Sequence, residues 1–250
     1  MQTKASDLTV SSDLSDRIRR IWMGPEQPEE AVASLKDVKG TSLEGLVRVA
    51  TDPSVDLEVR SSAVWLLGRL KMLGSFKKAE ALYPLLGALA DRNPALRAGA
   101  AQALGVLSDR RAAGRLIEVM HGDPDAMARQ LAAQSLGELH SPKAIRALRE
   151  VFTDQGQESR LRGAAAEALG ASFTYESAPE VVAGLTDPSP EVRFWSAYAV
   201  GFMKVESAVP ELERLVSGDD AEVPGWWSVS KEAAWAIAEI RGAPIETEGQ

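Results

Sequence analysis

The chain predicts an all-α fold: a right-handed α-α superhelix of about six helical hairpins behind an N-terminal helical cap. Three observations carry this. The segment RAGAAQALGVL, from Arg97 to Leu107, sets a frame of Arg, small residues three and four later, Leu at plus seven, Gly at plus eight and an apolar residue at plus ten. The frame recurs from Arg60, Arg129, Arg162 and Arg193, with a worn copy from Ser230, and its glycines (Gly68, Gly105, Gly137, Gly170, Gly201, then Ala238) lie 37, 32, 33, 31 and 37 residues apart. A period in the thirties is the signature of a stack of helical hairpins. Between the frames, apolar residues keep helical spacing and no segment alternates polar with apolar as a strand would.

Taken in order, residues 1–11 are polar and expected to be disordered. A cap is expected over 12–40: Leu14, Ile18 and Ile21 share a helical face, Gly24-Pro25 stops that helix, and a second runs from Pro28 to Val38. A stack needs such a cap over its terminal apolar face. The repeats are expected over 41–242 and a disordered tail over 243–250. First helices carry Leu85, Leu86 and Leu89; Leu116 and Val119; Leu148 and Val151; Val181, Val182 and Leu185; Leu212 and Leu215. Pro84, Pro179 and Pro210 are placed at their starts, where a missing N–H costs nothing. Asp52, Asp91, Asp123, Asp154, Asp187 and Asp219 end them. At about 100° per residue, frame positions 0, 3, 4, 7 and 10 form one buried face. The frame arginines are read as structural, each paired with a loop aspartate in a ladder of charge-assisted hydrogen bonds.

Composition narrows function. A net charge of −8 over 250 residues argues against a nucleic-acid partner, since phosphate binding needs clustered Lys and Arg. The absence of Cys excludes disulfides and thiolate metal sites, and no apolar run reaches the length of a signal peptide or membrane span. A soluble cytoplasmic protein without membrane association is expected. The two histidines, His121 and His140, fall in inter-helix turns with no carboxylate at ligand spacing, so no metal or cofactor is assigned. No nucleophile motif or phosphate loop is present, and no catalytic residue is nominated.

The frame V/L-R-x-x-A-A-x-A-L-G, with Asp-Pro upstream, resembles HEAT repeats, and within them the subclass known from phycobilin lyase subunits. The resemblance spans roughly residues 41–242. It implies the superhelix; for function it implies several roles, since similar repeats serve as scaffolds, bilin lyase subunits, phycobilisome-associated factors and di-iron deoxyhypusine hydroxylases. The last use His-Glu pairs, which this chain lacks.

In such stacks second helices line the concave surface, and frame positions 1, 5 and 9 should face it. Position 5 holds Trp65, Gln102, Gln134, Glu167, Tyr198 and Trp235. The middle repeats thus show polar groups, whereas the fifth shows Phe194, Tyr198 and Phe202 at i, i+4 and i+8, with Trp195 beside them. The insertion 219–228 adds Trp226 and Trp227. An exposed aromatic patch marks a binding surface; the competing reading has the insertion fold back as a cap. Trp65 with Arg69 repeats the theme more faintly. The expected activity is therefore that of a non-catalytic adaptor for a protein or peptide. The alternative is a bilin lyase subunit or another tetrapyrrole-handling factor, in which case the chain would serve a lyase.

Overall fold

The computed structural model describes Ile18, residues 43–69 and residues 78–242. The expected cap at 12–40 and both expected disordered ends lie outside these, apart from Ile18, which is buried. Among the described residues, twelve α-helices form six antiparallel hairpins: α1 (Leu43–Thr51) with α2 (Leu57–Arg69), α3 (Lys78–Ala88) with α4 (Pro94–Leu107), and α5 (Ala113–Gly122) with α6 (Ala126–Glu138). Next come α7 (Pro142–Thr153) with α8 (Ser159–Ala171), α9 (Ala178–Gly184) with α10 (Pro190–Phe202), and α11 (Val209–Gly218) with α12 (Val229–Arg241). The described residues include no strand, only one isolated bridge between Glu222 and Ser228. The all-α hairpin repeat is therefore present as expected. Contacts divide the chain into two compact units, with the boundary between Arg115 and Leu116.

Within each unit the second helices pack directly on one another: α2 on α4 in the first, and α6 on α8 on α10 on α12 in the second. The frame explains why. The glycine at position 8 of one second helix faces the alanine at position 6 of the next. A methyl group on Gly68 would stand 2.7 Å from the Cα of Ala103, on Gly170 2.8 Å from that of Ala199, and on Gly201 2.7 Å from that of Ala236. Backbone thus rests on backbone, and the repeat's Ala and Gly are selected by that distance rather than by helix propensity, which favours Ala over Gly by about 1 kcal/mol. Positions 3, 4, 7 and 10 are buried in the copies from Arg97, Arg129, Arg162 and Arg193, as in Ala132, Ala133, Leu136 and Leu139, whereas in the worn copy from Ser230 Ala234 is exposed and Ile237 and Ile240 are half-buried.

The hairpin turns are built by the loop aspartates. The Oδ1 atoms of Asp91, Asp123 and Asp187 each accept the N–H two residues on, at 2.8–2.9 Å, the local turn that Asp favours. The frame arginine then grips the loop from both sides. Arg193 donates to the Asp187 carbonyl at 2.8 Å and to both carboxylate oxygens of Asp219, one loop further on. Arg162 donates to the Phe152 carbonyl and to Asp187, with 5 % and 4 % of the two side chains exposed. Arg60 to Asp91 and Arg129 to Glu158 repeat the pattern. The ladder therefore exists, but its geometry differs from the expectation. An arginine takes its own loop by the backbone and the following loop by the carboxylate, and one rung uses Glu158 in place of Asp154.

Two local expectations need correction. Pro179 and Pro210 stand in the first turn of their helices, but Pro84 lies inside α3, which already begins at Lys78. His121 belongs to the last turn of α5 rather than to a loop. His140 does sit in a turn, with φ +44°.

Candidate functional site

Frame position 11 closes second helices with a left-handed residue: Ser108, His140, Phe173 and Lys204 have φ of 44–56°. This stops the helix and satisfies its last carbonyls. It also leaves position 9 and the left-handed residue itself at the rim of the second-helix row, which sets the surface described next.

The second unit carries the aromatic row, along one side of α6, α8, α10 and α12. Its backbone is frame position 5, where side chains one repeat apart meet. The Gln134 amide donates to Glu167 Oε2 at 2.7 Å. Tyr198 lies parallel to Trp235 with ring centroids 5.5 Å apart. On its own helix Tyr198 also stacks on Phe202 at 5.6 Å, and Phe202 meets Phe173 at 4.8 Å. Trp195 stands edge-on to Tyr198 at 5.7 Å and to Trp226 at 5.2 Å, and Trp226 edge-on to Trp227 at 5.9 Å. These are preferred ring arrangements. Eight rings, Phe194 included, form one connected set.

Position 1 does not belong to the open face. Phe194 is 1 % exposed and Trp195 is buried, so these two are not surface residues as expected. The reason is angular: about 100° per residue puts position 1 some 20° from position 8, on the side packed against the next repeat. Gly163, also at position 1, shows the same, since a methyl group there would stand 2.8 Å from the Trp195 ring. Positions 5 and 9 keep their place on the row: Tyr198, Phe202 and Trp235 are half-buried there.

The 219–228 insertion folds back. Val223 is buried and its carbonyl accepts the Trp226 N–H at 2.9 Å. Pro224 and Gly225 occupy the corners, Gly225 with φ +85°, the arrangement of a tight turn that requires glycine third. The turn lays Trp226 and Trp227 over Phe194, at 6.0 and 6.3 Å between centroids. The expected coverage of the stripe is thus partial: Phe194 and Trp195 are roofed, while Tyr198, Phe202 and Trp235 are not sealed. The roof itself is open to solvent, Trp226 being 52 % exposed, as is Phe173 at 53 %.

Beneath the roof sits Glu232, 1 % exposed, whose Oε2 accepts the Trp227 indole N–H at 2.7 Å. Burial pushes its carboxyl up to about 7, against which the indole hydrogen bond works. Glu167 is also pushed up by burial, opposed by the Gln134 hydrogen bond and reinforced by Glu138. The Tyr198 phenol is raised by burial and then by Glu167, Glu232 and Glu138, so three carboxyl groups act on one hydroxyl. The row is aromatic and acidic together.

Of the remaining sequence candidates, Trp65 is half-buried on α2 and Gln102 is exposed on α4, both in the first unit. Arg69 ends α2; its side chain, like the 71–77 segment, lies outside the described residues. Sequence reasoning does not find Phe173 and Glu232, although each leaves a signal. Phe173 is at position 11, just past a helix whose length the frame sets. Glu232 is at position 2, where the other copies hold Ser62, Gly99, Leu131, Ala164 and Trp195. No group of three or more potential metal ligands occurs among the described residues, and no described helix is long and apolar enough to cross a membrane.

The sequence model for HEAT repeats matches residues 43–137, 83–170 and 155–229. No curated protein matches the chain significantly. Among solved structures, the complex of CpcE and CpcF of phycocyanin lyase from Nostoc sp. PCC7120 is similar with a TM-score of 0.57 and 25 % identity, over 81 % of this chain and 77 % of that one. Escherichia coli YibA gives a TM-score of 0.55 at 14 % identity over 92 % of this chain and 81 % of that one. An engineered protein gives 0.51 at 20 % over 93 % and 69 %. The latter two share the fold alone.

Proposed function

Because the chain belongs to the HEAT-repeat family, we propose that it is a non-catalytic cytoplasmic scaffold that holds a partner protein or peptide along its second-helix row. The observation that supports this is the connected set of rings at the carboxyl end of that row. Phe173, Trp226 and Trp227 are open to solvent there, next to half-buried Tyr198, Phe202 and Trp235. Water-facing rings of this number cost solubility unless a partner covers them, and aromatic anchors dominate binding energy at interfaces. Gln134 and Glu167 continue the row as polar contacts, and Gln102, Trp65 and Arg69 are assigned a secondary role in the first unit. Phe194 and Trp195 act from below, fixing the roof.

The test is affinity capture from source lysate with wild type beside Tyr198→Ala/Phe202→Ala and Trp226→Ala. A protein retained by the wild type and lost from the variants, with circular dichroism unchanged, meets the expectation. Equal capture by correctly folded variants overturns it.

A second reading has one observation in its favour. The chain resembles the subunits of the CpcE–CpcF complex of phycocyanin lyase across most of both lengths. Parallel rings such as Tyr198 and Trp235 suit a flat conjugated tetrapyrrole. Titration with bilin or haem checks it: a new absorbance band with Trp quenching supports the reading, and unchanged spectra remove it.

A further inference from the structure

The charges of the second unit are sorted. Its frame arginines are consumed at position 0: Arg129 on Glu158, Arg162 on Asp187, Arg193 on Asp219. Among the described residues, no such cation pairs with the row's Glu167 or with Glu232. The groups acting on Glu167 are Gln134 and Glu138, and the group acting on Glu232 is the Trp227 indole. Both carboxyl groups are held partly out of water, where an unpaired negative charge is costly. Both act on the Tyr198 phenol, and Tyr198 is stacked on Trp235; aromatic ring faces carry negative quadrupole potential. Carboxylate and ring face attract the same kind of group, a delocalised cation, and repel the same kind, an anion. The whole chain, at −8, biases encounter the same way.

We infer that the aromatic row is a docking site for an arginine-bearing segment of the partner, with a guanidinium lying on the Tyr198–Trp235–Phe202 rings and pairing with Glu167. This rests on the scaffold reading and specifies its partner's chemistry. Arginine suits the site better than lysine because its planar group stacks on rings while its N–H fork meets a carboxylate, and it is the more weakly hydrated of the two. An acidic segment would be repelled by Glu167 and Glu232. Docking also removes the cost that burial imposes on Glu167, so its ionisation and the binding of the segment support each other. Affinity should therefore rise with pH across the range in which Glu167 loses its proton.

The test uses the full chain and a fluorescein-labelled twelve-residue peptide of alternating Gly and Arg, beside versions with citrulline (isosteric but uncharged) and with Glu. Anisotropy at physiological salt is expected to show binding of the arginine peptide alone. Glu167→Gln with Glu138→Gln should weaken it by about tenfold or more, the scale of a charge-assisted hydrogen bond. Glu211→Gln with Glu213→Gln, which removes two exposed carboxylates of α11 paired with Arg214 and Arg241, should change it less than about twofold. Citrulline binding as well as arginine, failure of the arginine peptide to bind, or equal effects of the two double variants each overturns the inference. If a captured partner is lost on Tyr198→Ala/Phe202→Ala but binds Glu167→Gln/Glu138→Gln undiminished, the scaffold reading stands and the arginine specificity falls.

Discussion

Replacing Glu232 by Gln should change the pH dependence of stability in a direction the structure dictates. In the unfolded chain this carboxyl titrates near 4.5; in the folded chain burial raises it to about 7. The folded state therefore binds the proton more tightly, and between those values it carries more protons than the unfolded state. Stability then falls as pH rises, starting near 4.5 and levelling off above 7. The rise corresponds to about 3 kcal/mol at full ionisation. The amide of Glu232→Gln would keep an oxygen for the Trp227 indole N–H, now 2.7 Å from the carboxylate, while removing the charge. Urea melts followed by far-UV circular dichroism from about pH 5 to about pH 8.5 should show wild type and variant nearly equal at the acid end. At the alkaline end the variant should be more stable by about 2–3 kcal/mol. Neighbouring Glu167 is present in both proteins, and the Tyr198 phenol, raised from its ordinary value, keeps its proton across this range in both, so the difference isolates Glu232. Parallel curves, or a variant less stable at every pH, would refute the argument that a buried, cation-free carboxyl sits under the roof.

Three further outcomes are expected. Gly170→Ala should destabilise by about 1–2 kcal/mol, because the new methyl meets the Ala199 backbone at 2.8 Å and the overpacking outweighs the gain in helix propensity. Gly87→Ala, with nothing within 4 Å, should instead stabilise by up to about 1 kcal/mol, and thermal melts compare the pair. Asp187→Ala should cost about 3–5 kcal/mol in a denaturant melt by stranding the buried guanidinium of Arg162. Burial alone would raise the Asp187 carboxyl, but Arg162, the Ser189 N–H and Gln155 hold it below the ordinary range, so this contribution is present at neutral pH and lost as pH falls through the lowered value. Gly225→Val should distort the turn at φ +85°, cost about 1–2 kcal/mol, and show as increased acrylamide quenching of Trp fluorescence as the roof lifts.

Much of this is legible in the residues because the repeat is a distance constraint written many times. Arg, Ala, Leu and Gly recur where a guanidinium must span two loops and where two backbones must touch. Position 5 can be placed on the row from angle alone, and Tyr198, Trp235, Gln134 and Glu167 meet there. Position 1 cannot, since its side depends on which flank the next repeat covers, and Phe194 is misplaced for that reason. The roof is legible only as an insertion; its path depends on a three-dimensional fit of Val223 and the Gly225 turn. Glu232 stays hidden because a lone carboxylate in a degenerate frame copy reads as surface until its neighbours are known.

The arginine rungs give the array a polarity. In each described rung a second helix clasps the loop ahead of it, from Arg60 to Asp91 through Arg193 to Asp219. The sixth copy, with Ser230 in the arginine's place, is bonded backward to Asp219 and Asp220. Shortening is therefore asymmetric. Trimming hairpins from the amino side leaves an aspartate whose own turn is intact, whereas trimming from the carboxyl side orphans a guanidinium in the new terminal hairpin. A shortened descendant should thus be viable when eroded from one direction only, and grafting an additional hairpin behind Ser230 would first require restoring an arginine there.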